Sequence, residues 1–485
     1  MTFGAGVSSR PLSAKSHSVG RRGAGLSAAT MLTAYIVLLF VVPSNATVSA
    51  LGGLGRPSLL WGLVLLFWWL LARLQSRDAQ TVPVTQPLRY AYSAFVVVVL
   101  VSFAAAMLRG QPADQISPAL TAVLRLASWS GVLLVAMDGI RTYVDAAKLI
   151  RRLALAGAAM AALGLVQFFT GQTWLDWMAN IPGISFEATE AATRGSFIRA
   201  SGTAIHPLEY GTAVVAALPL AVSAAVNKGF RSTPSRYAAW WWFAVGVILL
   251  ASVVSVSRSA LIGLAVAVIT LLPSIPKAYR WVVAIGGGVI AGAVFALVPG
   301  MFGTIVNLFV GASDDPSTQS RTAALARVPE FLASSPLFGQ GFGIFLPRYY
   351  IFDNAWVLLT VELGILGVAG MAGMILTAMG SAIWAGIRSP YDDAKAVSRA
   401  LVSALLTVTV LLAFFDGLSF PISAGLLFLL IGLTASIRAI AVTDMTLHAA
   451  TRRVSRPAPD DTPVGVLPGA MSAQHSVRMT ETRGR

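Results

Sequence analysis

Long apolar stretches separated by short polar segments make up most of this chain. Twelve of them approach or exceed the length needed to cross about 30 Å of hydrocarbon at about 1.5 Å per helical residue. The stretches cover residues 26–42, 58–72, 90–108, 118–137, 149–169, 205–226, 237–254, 257–272, 281–299, 354–385, 397–415 and 418–441. The pattern predicts an all-α polytopic membrane bundle of about 12 transmembrane helices over residues 26–441. The short eighth stretch, and Arg125 within the fourth, leave eleven or thirteen spans open.

Composition excludes a water-soluble globule. Of the 485 residues 56% are apolar and only 11% are charged, whereas soluble domains are about one quarter charged. The absence of cysteine removes disulfides, thiolate catalysis and cysteine-bound metals. Residues 1–25 and 442–485 are rich in Ser, Pro, Gly and Arg, which is typical of disordered tails. Arg21 and Arg22 before an apolar run resemble a signal peptide, but an uncleaved first span keeps the number of spans even.

The positive charges predict the orientation in the membrane. When alternate loops are assigned to opposite sides, 26 Lys and Arg residues fall on one side and 8 on the other. Because cytoplasmic loops retain basic residues, both termini are predicted to be cytoplasmic, in a plasma (inner) membrane. The same rule accounts for the net charge of +15 without a nucleic-acid partner. All eight basic residues on the outer side are arginines, which suits phosphate binding but is equally explained by the chain's low lysine content.

Two long loops, residues 170–204 and 300–353, are predicted on the outer side, and long loops are usually functional. The first leads into the sixth span through His206 and Glu209. His206 is also suited to cap that helix, and Pro207 to start it. The second contains a short amphipathic helix with Leu325, Val328 and Leu332 on one side.

After that helix come glycines 339, 341 and 343, which permit close backbone packing on neighbours or on a ligand. The loop ends at Asp353 and Asn354, either of which could simply cap the following helix. Glu362 lies further along the same span, and an acid at that depth is a functional candidate, as is Asp416 just beyond the eleventh span.

Four segments, in their order and spacing, resemble the O-antigen ligase and O-antigen polymerase superfamily. They are RASGTAIHPLEYG, SVSRSALIG, RTAALARVPEFLASSPLFGQGFGIF and DNAWVLLTVELGILG. The resemblance extends over roughly residues 26–440 and is most specific over about 195–375. It implies a GT-C-like, multi-pass bacterial glycosyltransferase of cell-envelope polysaccharide synthesis. Such an enzyme moves a glycan from a polyprenyl (undecaprenyl) diphosphate carrier to a hydroxyl of a lipid or glycan on the outer face, without metal, nucleotide sugar or cofactor.

The resemblance also implies roles for particular residues. Arg258 and Arg321 match family arginines, and they would stabilise the charge that develops on the diphosphate leaving group. Arg199 is a plausible third contact. Arg258 could instead simply snorkel at the membrane surface.

The general base is the point at which the chain departs from the ligase pattern. Ligases carry a His-Asn pair where this sequence has Asp353-Asn354, so ligase and polymerase both stay open. Asp353 is the first candidate for the base, followed by Glu209 and His206. Asn354 and Glu362, with Arg199, His206 and Glu209, are predicted to bind substrate.

Two other classes of protein fit part of the pattern. A polysaccharide or lipid flippase, or a small-solute transporter, would explain Arg125 inside a span, although Arg125 could also pair with Glu362. The halves of the chain show no internal repeat, and most polar candidates cluster outside, which favours the transferase. A non-catalytic partner in envelope assembly is the third possibility.

Overall fold

The computed structural model describes residues 27–75, 84–186, 193–194, 197–230, 238–255, 257–298 and 316–454, with Gly300 and a few residues up to Val310. Residues 1–443 form one compact unit, and the residues from 444 onward are assigned to a second, of which only the helix end at 444–454 is described. The predicted N-terminal tail and most of the C-terminal one lie outside the described residues.

Thirteen described α-helices make up the fold, so the all-α prediction is confirmed. They are α1 (Ala28–Phe40), α2 (Pro57–Gln75), α3 (Pro87–Leu108), α4 (Ala113–Gly139), α5 (Tyr143–Thr170), α6 (Pro207–Val226), α7 (Trp240–Val254), α8 (Arg258–Leu271), α9 (Lys277–Leu297), α10 (Pro316–Leu332), α11 (Ala355–Arg388), α12 (Asp392–Leu411) and α13 (Pro421–Val454). Among the described residues, nine are long and apolar enough to cross a membrane, and α1, α7 and α8 are shorter apolar helices. Each of the twelve predicted spans therefore coincides with a helix. The thirteenth helix, α10, is the amphipathic helix predicted in the second long loop.

Short elements join the helices. Single 3₁₀ turns occupy Ser49–Leu54, Asp176–Asn180, Lys228–Phe230 and Leu272–Ser274. Strand β1 (Thr47–Val48) pairs antiparallel with β2 (Ile184–Ser185), and β3 (Thr193–Arg194) with β4 (Phe197–Ile198). The first pair ties the α1–α2 connection to the loop that follows α5.

The centre of the bundle is α6, which is buried along almost its whole length. It packs against α5, α7, α8 and α12. Small residues allow the close approach: a Cβ added to Gly157 of α5 would lie 2.2 Å from Cβ of Ala217 in α6. Small residues at such contacts are typical of helix packing in membranes, where dispersion contacts replace the hydrophobic effect between helices.

Helix α11 is interrupted at Gly364, which has φ +67° and ψ −169°. The sequence predicts one continuous span here, and the break is a finding of the structure. Backbone groups released by the break are taken up by the glycine-containing loop: Gln340 N donates to Val361 O over 2.9 Å, and Ile365 N to Pro336 O over 3.0 Å. Irregular backbone at membrane depth is tolerated only when protein satisfies it in this way.

The predicted close packing of the glycines is confirmed against this broken helix. Gly339 has φ +68°, and a Cβ placed on it would lie 2.4 Å from the backbone carbon of Glu362. Gly341 N donates to Glu362 O over 2.9 Å. Gly339 and Gly341 therefore serve the contact between loop and broken helix, whereas a Cβ on Gly343 would lie 2.3 Å from Cβ of Ala122 in α4.

Several connections between helices meet at one end of the bundle, which we call the loop face. Ser44 N, after α1, donates to Thr203 O before α6 over 2.9 Å. Arg348 of the large loop pairs with Asp114 at the start of α4. The loop face therefore gathers segments that lie far apart in the chain.

Candidate functional site

A cavity of about 640 Å³ opens among the segments at the loop face. Its walls come from α4, the start of α6, residues 342–353, the first turns of α11 and residues 415–420. Five of its lining residues can carry charge: Arg125, His206, Asp353, Glu362 and Asp416. Much of the remaining wall is aromatic: Trp129, Phe342, Phe345, Tyr350, Phe352, Phe415 and Phe420.

Asp353 and Asn354 divide the two roles that the sequence left open. Asn354 caps α11, because its Oδ1 accepts hydrogen bonds from Trp356 N at 3.0 Å and Val357 N at 3.3 Å. Asp353 lines the cavity. The capping function thus falls on the asparagine and leaves the aspartate at the cavity wall.

Arg321 holds the backbone next to Asp353. Its Nε donates to Asp353 O at 3.3 Å, and its Nη2 donates to Phe414 O at 2.7 Å. The guanidinium also lies 5.9 Å from the centre of the Phe414 ring. Arg321 therefore joins α10 to two cavity-forming segments, although it is not among the described residues that line the cavity itself.

The face that α10 buries shares Val328 with the predicted one, but Ala324 and Phe331 take the places expected for Leu325 and Leu332. Ala324 is buried, and Val328 and Phe331 pack beside it against Phe352 and Val361. Leu325 was predicted on this face, but its side chain is 56% exposed. The buried stripe follows the i, i+4, i+7 spacing from Ala324, and Leu325 lies about 100° further round the helix.

His206 caps α6 and also lines the cavity. Its Nδ1 accepts from Leu208 N at 3.2 Å, and its ring centre lies 5.7 Å from that of Phe420. Burial lowers the pKa of His206, Arg199 lowers it further, and Asp353 opposes the shift. The imidazole is therefore biased toward its neutral form, and these interactions place Arg199 and Asp353 near it.

Glu209 is fully buried and tied to three segments. One carboxylate oxygen accepts from Ile422 N at 2.6 Å, and the other accepts from Ser44 Oγ at 3.1 Å and Ile205 N at 3.2 Å. Glu209 is not among the described residues that line the cavity. These contacts give it the geometry of a structural clamp between α6, α13 and the α1–α2 connection.

Arg125 and Asp416 line the cavity. Both stand out in the sequence as charges beside or within apolar stretches, but neither was predicted to be a site residue. Arg125 interacts electrostatically with Asp416 and Glu362, so both its suggested neighbour and a second acid face it. Asp416 follows α12, outside the spans, and burial raises its pKa to about 6. In the sequence, such a charge marks a candidate site residue but does not identify the residues it will contact.

The two remaining predicted arginines lie at the loop face without lining the cavity, as far as the described residues show. Arg199 interacts with His206. Arg258 is the first residue of α8, and Ala260 packs against Gly211, one turn into α6. The structure thus brings Asp353, His206 and Glu362 into one cavity and places Arg321, Arg199, Asn354 and Glu209 next to residues that line it, whereas Arg258 begins α8.

The fold and the site define a multi-pass all-α membrane protein with an acidic, aromatic cavity at one end. In the described part of the chain, no group of three metal-ligating side chains could hold a metal ion. Residues 243–372 match a family model described as O-antigen ligase. The match confirms the resemblance to the O-antigen ligase and polymerase superfamily and supports an O-antigen ligase-like membrane glycosyltransferase. No curated protein matches the chain.

Proposed function

We propose that the protein transfers a glycan from a polyprenyl-diphosphate carrier, such as undecaprenyl diphosphate, to a hydroxyl of a lipid or glycan acceptor. The reaction belongs to bacterial cell-envelope polysaccharide synthesis and requires no metal or cofactor. The observation that carries the proposal is the cavity at the loop face. Its wall from Phe342 through Glu362 lies inside the segment that matches the O-antigen ligase model.

The chemistry follows from the position of Asp353. The acceptor oxygen attacks the anomeric carbon of the donor sugar, the bond from that carbon to the diphosphate oxygen breaks, and the diphosphate leaves with the electron pair. Asp353 takes the acceptor proton as general base, which requires hydrogen-bond contact of about 2.6–3.2 Å with the acceptor hydroxyl or one bridging water. His206, which lines the same cavity, binds substrate, and its lowered pKa favours the neutral form for this role.

In this proposal the diphosphate is held by arginines at the loop face. Negative charge grows on this group in the transition state, so positioned guanidiniums stabilise the transition state more than the ground state. Arg258 and Arg321 carry this role, with Arg199 as a third contact. Arg321 has a second effect, because its bond to the Asp353 carbonyl fixes the backbone that carries the base.

The loop face is the outer face of the plasma membrane in this proposal, and both termini are cytoplasmic. The distribution of basic residues supports that orientation. Residues 26–441 then act as one transmembrane catalytic domain with two tails.

The test is transfer by the purified full chain from a polyprenyl-diphosphate-linked oligosaccharide to candidate acceptors, analysed for one-step capping against chain growth. Asp353→Asn should lower turnover by about 100-fold or more while donor binding is kept. The matched control is Asp176→Asn, an exposed aspartate of the first long loop that bonds only locally with Thr173. A fully active Asp353→Asn enzyme would move the base to another residue.

The arginines have their own test. Arg258→Lys and Arg321→Lys keep the charge but lose the planar fork that binds two phosphate oxygens at once. Both should lose most transfer activity while still folding. Near-normal turnover in either variant would contradict its role at the diphosphate.

The second candidate function is transport of a polysaccharide or lipid. The break in α11 at Gly364 and the cavity-lining Arg125 favour it, because interrupted helices and buried charges mark the binding sites of transporters. Reconstitution in vesicles separates the two candidates. A transporter moves the lipid-linked glycan across the bilayer unchanged, whereas a transferase releases the free carrier diphosphate.

A further inference from the structure

The ionisable groups that line the cavity are mostly acidic. Asp353, Glu362 and Asp416 contribute three carboxyl groups, and Arg125 contributes one guanidinium. With His206 neutral, the lining carries a net charge of −1 when Glu362 is protonated and −2 when it is ionised. In either state the wall that would face a ligand is unfavourable for an anion.

Positive charge lies nearby, on arginines outside the set of residues that line the cavity. Arg56 interacts with Arg125 and with Glu209, Arg199 lies near His206, and Arg321 binds the Asp353 carbonyl. None of these three arginines is among the described residues that line the cavity. The lining itself is therefore acidic, and the nearby arginines act on it through Arg125, His206 and the backbone of Asp353.

One acidic group in the interior has an unsatisfied acceptor. The Oδ1 atom of Asp416 is buried and has no hydrogen-bond partner among the described residues. Ser419 donates to the Asp416 carboxylate from its side chain and backbone. Buried acceptors are rarely left unpaired, so a rotation of the Asp416 side chain that exposes this oxygen to the cavity would let a ligand donor satisfy it.

Aromatic rings form the walls around these acids. Tyr350 and Phe352 have ring centres 5.0 Å apart, and Phe345 lies 5.4 Å from Phe352. Phe415 and Phe420, on either side of Asp416 in the sequence, lie 5.6 Å apart. A sugar ring presents C–H groups on its faces and hydroxyl donors at its edge, so aromatic walls with carboxylates between them match both of its surfaces.

The size of the cavity also fits a sugar. Its volume of about 640 Å³ lies within the range of small-ligand sites, about 300–1,000 Å³. That is room for a short saccharide and too little for a long polysaccharide.

We propose that this cavity is the sugar subsite of the transferase and that it selects uncharged or amino sugars over uronic acids and other anionic sugars. The inference rests on the proposed function and extends it to the class of sugar. An amino sugar gains most, because its ammonium group can pair with Asp416 or Asp353 in a partly buried site.

The size of the selection can be estimated from Coulomb's law. An anionic group held about 6 Å from one excess negative charge, at an effective dielectric constant of about 40, binds about tenfold more weakly than its neutral counterpart. The variant Asp416→Asn should remove about that factor, since an asparagine keeps an acceptor for Ser419 and loses the charge. Glu330→Gln is the matched control, because Glu330 lies on the exposed side of α10 with 63% of its side chain exposed.

The experiment measures binding of the purified full chain to an array of neutral, amino and uronic-acid oligosaccharides at pH 7.5. We expect retention of neutral or amino glycans and at least about tenfold weaker retention of the uronic-acid set. Asp416→Asn should narrow that difference, and Glu330→Gln should not. Equal or preferred binding of uronic acids overturns the inference, as does binding to no glycan at all.

Parallel transfer assays distinguish this inference from the proposed function. Transfer of acidic glycans as efficiently as neutral ones would overturn the charge selection and leave the transferase intact. Selective glycan binding without transfer from any polyprenyl-diphosphate donor would overturn the proposed function and leave the cavity as a sugar site of another kind, such as that of a transporter.

Discussion

Replacing Gly339 by alanine tests the contact between the glycine loop and the broken helix α11. The added Cβ would lie 2.4 Å from the backbone carbon of Glu362 and 2.5 Å from its carbonyl oxygen. An ordinary van der Waals contact would require these distances to be about 1 Å longer. The neighbouring atoms belong to the backbone, so they cannot rotate aside as a side chain can. The loop must therefore move away from the helix.

The cost can be assembled from the structure. A φ of +68° disfavours alanine by roughly 1 kcal/mol relative to glycine. Displacing the loop weakens the bonds from Gln340 N to Val361 O and from Gly341 N to Glu362 O, each worth about 1 kcal/mol. A total of about 3 kcal/mol follows, with further loss if the freed groups stay buried.

The assay is thermal unfolding of the purified protein in one detergent, followed by the fluorescence of its 12 tryptophans. Gly339→Ala should lower Tm by roughly 5 °C and reduce transfer, because Glu362 lines the cavity. Gly373→Ala is the matched control: it lies in the same helix, and an added Cβ meets nothing within 4 Å. If the two variants unfold within about 1 °C of each other, the loop does not support the helix as described.

Further predictions concern the clamp and the pH response. Glu209→Ala leaves Ile422 N and Ser44 Oγ without their buried acceptor, whereas Ile205 N keeps Ser44 Oγ as a partner. The variant should therefore lower the free energy of unfolding by about 2 kcal/mol or more, and Tm and membrane yield with it. Thermal unfolding measures the effect, and an unchanged Tm would contradict a clamp. Burial raises the pKa of Asp416 to about 6, so its contribution to stability is present below about pH 4 and lost as the pH rises through about 6. The Tm of Asp416→Asn should fall less over that window than that of the wild type. As the pH falls through about 6, Asp416 loses its charge, and discrimination against uronic acids should weaken. Protonation of His206 acts in the same direction. A selectivity that is constant from pH 5 to 8 would contradict a role for Asp416.

Some of the site could be predicted from the sequence because local chemistry marks it. Asp353 and Glu362 stood out as acids beside or within apolar stretches, and His206 as a polar residue at the start of a helix. Which of Asp353 and Asn354 caps α11 could not be predicted, since both residue types are good caps. Glu209 could not be distinguished from a base, because its three donors come from segments far apart in the chain.

The sequence by itself determined the all-α membrane fold, the positions of its twelve apolar helices and the resemblance to the O-antigen ligases. These depend on hydrophobic length and local motif, which the chain carries in continuous stretches. Only the tertiary structure decided that α11 breaks at Gly364, that Arg321 binds the Asp353 carbonyl, and that Asp416 joins the cavity. Each of these depends on contacts between distant segments, and the periodicity of one helix contains no information about which loop will satisfy another helix's backbone.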